Sequence, residues 1–404
     1  MSCEKKIREF GSGVASLIRG EDLSRGQANE MFRQILLDEQ PDLQQGAFLA
    51  ALTAKGETVD EVAGAWEAIY DIDTVKISPE VSCPLVENCG TGMDSLKTFN
   101  VSTAAAIVAA AGGVCVARHG ARALTSTCGT IDILEELGID VECDPETVRN
   151  SIEKTGIGIF NGMSQLVHPQ ALYRILSRIR FGTTLNIAGS LAHPCMPRHG
   201  ARGVYSRELL DPVARVMREI SSSRAIVFHS SSANCSKGMD EISILGETYI
   251  AELRESGDIV NYTVTPEQLG VRLEEGGDIS PARGTRTEAT RLLRLVCGHD
   301  RGPRYRMVCM NAAPIFYIAG LSEDLRGGYL WAQAVIDSGS ALNKLREWIT
   351  IQNRDPDSGL KRLNGLLSSG NIKHPYPQVP LPGQRETSGR PAVSSSSGLH
   401  QAVF

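Results

Sequence analysis

The sequence predicts an α/β protein in which a helical N-terminal segment precedes a central, mainly parallel sheet. Three observations carry that prediction. Across residues 22–70 apolar side chains recur at helical spacing. The stretch "DIDTVKISPEVSCP" (71–84) has no helical period and holds two prolines, as a connector does. From residue 85 onward short apolar runs alternate with helical stretches, the pattern of strands joined by crossover helices.

Taken in order, Asp22-Leu23-Ser24 reads as a capping start for the helix through "ANEMFRQILLDE". In "LQQGAFLAALTAKGETVDEVAGAWEAI", Gly56 ends one helix and Thr58 or Asp60 caps the next. The run "VSTAAAIVAAAGGVCVA" (101–117) is too short and too rich in Ala and Gly for a membrane span. A buried helix followed by a buried strand explains it better. "GTIDILEELGI", "DPETVRNSIEKTG", "PVARVMREI" and "AQAVIDSGSALNKLREWITIQ" read as helices, and "RAIVFHS" as a strand. After about Asn353 the chain becomes rich in Pro and Ser, and residues 353–404 are expected to be a disordered tail.

Composition bounds the function. The chain has 404 residues, a formal charge of −6 and 5% aromatics, so its core must rest on Ala, Val, Ile and Leu. That charge offers no general attraction to nucleic acid or anionic membranes. The ten cysteines include no CxxC pair, and "MSCEKKIREF" is not a signal peptide. They are expected to be reduced thiols in a cytoplasmic protein.

Three stretches look chemical. In "ENCGTGMDSLKTFNVSTAAAIVAAAGG" (87–113) a strand end leads into Gly90-Thr91-Gly92, then Asp94, then Asn100-Val101-Ser102-Thr103 opening a helix. Glycines admit a ligand close to the backbone and a helix start offers free N–H groups, which together suit a phosphate. A tight turn before an ordinary Ser/Thr cap fits the same residues, and the spacing is neither a Walker loop nor a dinucleotide fingerprint. Next, "RHGAR" (118–122) would bring Arg118 to the same rim, ahead of the hydroxyls of Thr125, Ser126 and Thr127. Alone, Arg118 would be a solvated surface charge; two anion-friendly corners on one sheet edge are harder to set aside. Third, Asp240 and Glu241 in "KGMDEIS" are either a solvated face or, beside a diphosphate, ligands for Mg²⁺.

Together these stretches resemble the anthranilate phosphoribosyltransferase family over roughly residues 20–350. "GTGMDSLKTFNVST", "RHGARALTSTCGTIDILEELG", "GMDEIS", "NAAPIFYIAGL" and "VIDSGSALNKL" follow the family's motifs in order. The resemblance implies an N-terminal helical domain over residues 1–75, joined by helices from about 165–195, and an α/β domain over 82–352. It also implies a homodimer, Mg²⁺, the donor phosphoribosyl diphosphate and a small aromatic acceptor. Gly90, Thr91, Gly92, Asp94, Asn100, Ser102, Thr103 and Arg118, with Leu124, Thr125 and Ser126, would bind the donor. Ser102, Asp240 and Glu241 would hold metal. A nucleoside phosphorylase of the same superfamily and a non-catalytic paralogue are the alternatives.

Departures from the family pattern gather where the acceptor would bind. Met93 replaces the second of paired glycines, Ala121 an asparagine, and Gly182 the arginine that meets the anthranilate carboxylate. Ser190 and His193 replace a proline and an asparagine. Losing a charged contact of that kind costs on the order of 1.5–3 kcal/mol. An analogue of anthranilate is therefore expected as acceptor ahead of anthranilate itself. Gly90, His119, Ala121, His168, Arg178, Arg180 and His193 are the acceptor-site candidates. "RHGAR" recurs at 198–202, but in a stretch resembling a different family element and without repeating flanks, so the echo reads as accidental.

Overall fold

Four helices open the chain: α1 (Cys3–Ile18), α2 (Arg25–Leu36), α3 (Asp42–Lys55) and α4 (Val59–Asp73). The computed structural model describes residues 3–92, 94–123, 128–232, 235–274 and 278–373. Ser24 and Thr58 start α2 and α4 with capping boxes closed by Gln27 and Glu61, and Gly56 ends α3 with a positive φ of 87°. Helix α1 was not anticipated from composition. Its signal is the buried row Phe10, Val14, Leu17, spaced one turn apart.

Beyond the connector the chain alternates: β1 (Leu85–Gly90), α5 (Val101–Ala111), β2 (Cys115–Gly120), α6 (Thr130–Leu137), α7 (Pro145–Thr155) and β3 (Ile157–Asn161). Then come α8 (Leu172–Ile179), α9 (Thr184–Leu191), β4 (His199–Gly203), α10 (Leu210–Glu219), β5 (Arg224–Ser232), β6 (Cys235–Met239), β7 (Thr248–Leu253) and β8 (Ile259–Val264). Five further helices close the fold: α11 (Thr285–Val296), α12 (Pro303–Ile318), α13 (Leu325–Asp337), α14 (Ser340–Ile351) and α15 (Pro356–Ser369).

The sheet runs β3-β2-β1-β4-β5-β7-β8, with β6 also paired to β5. Strands β3 to β5 along this order are parallel, and β6, β7 and β8 join antiparallel. The chain builds outward from β1 first through β2 to β3, then through β4 to β5 on the other side. The carboxyl end of β1 is therefore the point where the strand order reverses, the place where such sheets bind ligands.

Two large cores flank the sheet. One centres on α5, whose residues Ala104–Ala109 are fully buried between the sheet and α12 and α14. The other joins α1–α4 to α8, α9 and α10 and to the face of β5 and β7. Trp66 of α4 donates to the Leu191 carbonyl at 3.0 Å, and the Asp73 carboxylate at the end of α4 accepts the N–H groups of Gln170, Ala171 and Leu172. The helical domain thus caps α8 from outside.

Two expectations are corrected. Cys83 and Cys115 form a disulfide, with Cα atoms 6.3 Å apart, so the ten cysteines are not all free. Their 32-residue separation is closed by pairing of Leu85 with Cys115 in the β1–β2 register, which spacing along the chain does not reveal. The tail expected without structure from 353 opens instead on α15, which buries Leu363, Leu366 and Leu367 against the core. Among the described residues no helix is long and apolar enough to cross a membrane.

Candidate active site

A cavity of about 260 Å³ opens at the carboxyl end of β1 and runs between the sheet rim and helices α8 and α9. Gly90, Thr91, Gly92, Asp94, Asn100, Ser102, Arg118, His119, Ala121, Asp240 and Glu241 all line it. Thr103, fully buried, stands behind them.

The turn after β1 is built on backbone. Thr91 N–H donates to the Gly203 carbonyl at 3.1 Å, and Gly92 N–H to Asp240 Oδ2 at 2.8 Å. A Cβ on Gly90 would lie 2.4 Å from that same oxygen, so the close approach requires glycine. Gly92 takes a φ of +69°. Lys97, which the sequence reading passed over, donates to both Asp94 Oδ1 and the Gly92 carbonyl at 3.0 Å. Its signal was its place three residues after Asp94.

Helix α5 starts in the cavity without a side-chain cap. Asn100 spends its amide on the Cys128 carbonyl at 3.4 Å, and the Asn88 amide holds the Ser102 carbonyl at 2.8 Å. Buried Glu288 accepts Asn100 N–H at 3.4 Å, another positioning contact hidden in sequence. Of the first N–H groups of α5, that of Val101 goes to the Phe99 carbonyl at 2.7 Å and that of Ser102 to Glu241, so what the helix start offers an anion is chiefly its positive dipole end. Arg118 is 2% exposed and donates to Thr103 Oγ1 at 2.8 Å and Ser102 Oγ at 3.2 Å, leaving its Nε without a partner. Burial lowers its guanidinium to about 10, still charged at neutral pH.

Leu124, Thr125 and Ser126, expected at the 5-phosphate, lie outside the described residues, as do Met93 and Thr127. Both feet of the 124–127 segment are held by Asp132, whose Oδ2 accepts Ala123 N–H and Gly129 N–H, each at 2.9 Å.

Asp240, Glu241 and Asp94 gather at one wall. Burial first, and then Asp94, pushes Asp240 up to about 6; burial, Asp240 and Asp94 raise Glu241 well above the carboxylate range. Burial raises Asp94 too. The three carboxyls repel one another, and Asp240 and Glu241 offer oxygen atoms of the kind a hard cation prefers. No group of three or more His, Cys, Asp or Glu side chains among the described residues is arranged to hold a metal by itself. A cation here would draw its other ligands from water and a bound anion, as Mg²⁺ commonly does.

The acceptor-side candidates separate. His119 and Ala121 line the cavity, whereas His168, His193, Arg178 and Arg180 do not. Arg178 faces Asp42 at 3.5 Å with its side chain 68% exposed. Arg180 ends α8 with φ +58°, exposed. His168 and His193 sit behind the wall instead, packed against His119 at tilted and edge-on angles. His168 Nδ1 faces the Asp73 carbonyl, its Nε2 lies 3.0 Å from His119 Nε2, and the His119 and His193 rings are 5.7 Å apart. His193 Nδ1 accepts Cys195 N–H at 2.9 Å, so its Nε2–H donates to the Ala117 carbonyl at 3.2 Å. Burial lowers all three, His193 to about 3, and they are neutral. The wall itself is Met163, Leu172, Leu176 and Leu185 with Asn186 and Ser190, side chains that sequence reasoning left unassigned to it or, for Ser190, noted only as a departure.

The two RHGAR segments occupy different places in their strands. In the first, Arg118 is the buried cation; in the second it is Arg202, paired with Glu87 at 2.8 Å beneath the site.

Comparison with known proteins settles the lineage. A model of the glycosyl transferase family α/β domain matches residues 82–342, and one of that family's helical bundle domain matches residues 14–71. The anthranilate phosphoribosyltransferase of Methanococcoides burtonii is 39% identical over 360 residues, covering 88% of this chain and 97% of that protein. The chain belongs to the anthranilate phosphoribosyltransferase family. The enzyme of that name from Anaeromyxobacter dehalogenans is 38% identical, with 83% of this chain and 96% of that protein covered. The crystal structure of anthranilate phosphoribosyltransferase from Thermus thermophilus superposes with a TM-score of 0.73 at 32% identity, over 84% of this chain and 98% of that one. A Saccharomyces cerevisiae anthranilate phosphoribosyltransferase in complex with PRPP and Mg shares the fold, with a TM-score of 0.74 at 24% identity over 88% and 98% of the two chains. As an enzyme, this family member is a glycosyltransferase.

Proposed function

We propose that the protein transfers the phosphoribosyl group of phosphoribosyl diphosphate to a small aromatic acceptor, an analogue of anthranilate ahead of anthranilate itself, and releases diphosphate. The observation that carries this reading is the meeting, in one cavity, of an uncapped helix start, a glycine turn and a buried carboxylate wall. The family relationship supports it. In the reaction the bond between ribose C1 and the diphosphate oxygen breaks, a bond from the acceptor nitrogen to C1 forms, and a proton leaves that nitrogen. The positive dipole end of α5 and Lys97, which lines the cavity, would face anionic oxygens of the donor, and Arg118 adds a permanent charge behind Ser102 and Thr103. Asp240 and Glu241, with Ser102, would hold Mg²⁺, which when bound offsets the negative charge of the diphosphate. The wall of α8 and α9 holds the acceptor in line and excludes water; positioning, not a side-chain nucleophile, is the main demand.

We further propose a homodimer formed through the helical domain, where Ile18 and Leu43 are 73% and 87% exposed. Light scattering that returns a monomer would remove that part of the reading. The activity is tested by following diphosphate release from the donor with Mg²⁺ and a panel of aromatic amines. Absence of donor binding by calorimetry in the presence of Mg²⁺ would sink the proposal.

A further inference from the structure

We infer that the protein carries a further small-molecule site, apart from the cavity at the carboxyl end of β1, and that this site takes an aromatic carboxylic acid. A second cavity, of about 400 Å³, opens at the amino end of β4, between the segment that follows α9 and the end of α10. Among the described residues none lines both cavities. The two lie toward opposite ends of the parallel strands, because Pro197 and Arg198 lead into β4 whereas Gly90 ends β1. A space of that size holds a molecule of two fused rings.

The lining says what would fill it. Leu191, Met217 and Ile220 are buried and apolar, and Met196 and Pro197 beside them are half-buried. His193 has both ring nitrogens engaged, with Cys195 N–H and the Ala117 carbonyl, so it offers the cavity a ring face or edge and no free polar atom. Two thioethers and a neutral ring favour an aromatic body over an aliphatic one. The charged groups fix its direction. Glu87 is buried and already matched by Arg202 at 2.8 Å, so an acid gains nothing beside it. Arg198 is exposed, and among the described residues its guanidinium makes no ion pair and donates no hydrogen bond. Arg215 and Arg218 of the neighbouring α10 differ, being paired with Asp211 and Glu219 at 2.6 and 3.9 Å. Exposed Ser221 and half-buried Ser222 add hydroxyls to the lining. A carboxylate at Arg198 keeps its water while the ring leaves it, which avoids the cost of burying an unpaired charge.

The test is calorimetric titration of the full chain with 1-naphthaleneacetate, a readout that does not depend on the transfer reaction. The parent is expected to bind with a Kd of about 1 mM or tighter. Arg198→Ala should weaken that binding about fivefold, and Ser222→Trp, which fills the cavity, should abolish it. An aromatic acid could also enter the cavity at the carboxyl end of β1, so Met163→Trp, which narrows that one, serves as the control and should leave the Kd unchanged. Failure of the parent to bind overturns the inference. So does binding that persists in folded Ser222→Trp or is lost in folded Met163→Trp, since either result puts the acid elsewhere. A Kd indifferent to Arg198→Ala overturns the assignment of a carboxylate. Arg198 is exposed, so that variant decides the matter even where circular dichroism shows that Ser222→Trp has not folded.

Discussion

The two ends of the cavity are made of different material. The donor end is mostly backbone: the turn at Gly90–Gly92, the uncapped start of α5, and a carboxylate wall fastened to that turn by the Gly92–Asp240 bond of 2.8 Å. The acceptor end is mostly side chain, projected from α8, α9 and the segment after β3. A backbone cradle changes only by moving the chain, so its sequence is tightly constrained. A side-chain wall is rewritten by point substitutions that leave the fold intact. That contrast fits the departures at Ala121 and Ser190, which line the cavity, and at Gly182 and His193 beside it, with Met93 the departure next to the donor turn.

Substitutions at the donor end should therefore have the larger effects. Asp240→Asn combined with Glu241→Gln keeps shape and removes charge; diphosphate release should fall about 10²- to 10³-fold with the fold intact by circular dichroism. Retention of near-normal rates would deny the carboxylate wall its role. Gly203→Ala strikes the same wall from below, because a Cβ there would lie 1.8 Å from the Asp240 carbonyl oxygen. Urea unfolding should show a loss of about 1–3 kcal/mol, accompanied by weaker donor binding. At the acceptor end, Ala121→Asn should change the acceptor KM by up to roughly tenfold while the donor Kd stays put. A matching change in donor Kd would mean that the two ends are not separate.

The same contrast decides what was legible in sequence. Gly90 to Thr103 form one short stretch, so its strand, turn and helix start could be recognised locally. Asp240 meets Gly92 across 148 positions, and only the sheet order brings them together. Arg178 and Arg180 are sequence neighbours of Gly182, yet the helix geometry of α8 turns the first toward Asp42 and leaves the second exposed. Proximity along the chain was a poor guide there, because a helix points adjacent side chains about 100° apart. Helix α15 was hidden by the Pro/Ser-rich composition beyond it, although Leu363, Leu366 and Leu367 carry helical spacing. Asn186 was passed over because its capping role and its free amide become visible only with α9 in place.

The smallest expected effect probes what the acceptor end stands on. His119, His168 and His193 are buried and lowered below the ordinary histidine range, His193 to about 3. An unfolded chain takes up protons on these residues below about pH 6.5, whereas in the folded chain each takes its proton at lower pH, His193 only near about 3. In that window the unfolded state binds more protons, so stability falls as pH drops. Asp94, Asp240 and Glu241 act in the opposite sense, since their folded forms hold protons more tightly than the unfolded chain. Total stability therefore blends the two, and a single substitution is needed to separate them. His193→Gln retains an acceptor and a donor for Cys195 and Ala117 but cannot titrate. Its loss of stability between pH 7 and pH 5.5, read from urea unfolding, should be smaller than that of the parent by about 1 kcal/mol. An identical loss in both proteins would mean that His193 is protonated in the fold, and that the support beneath the acceptor wall is charged.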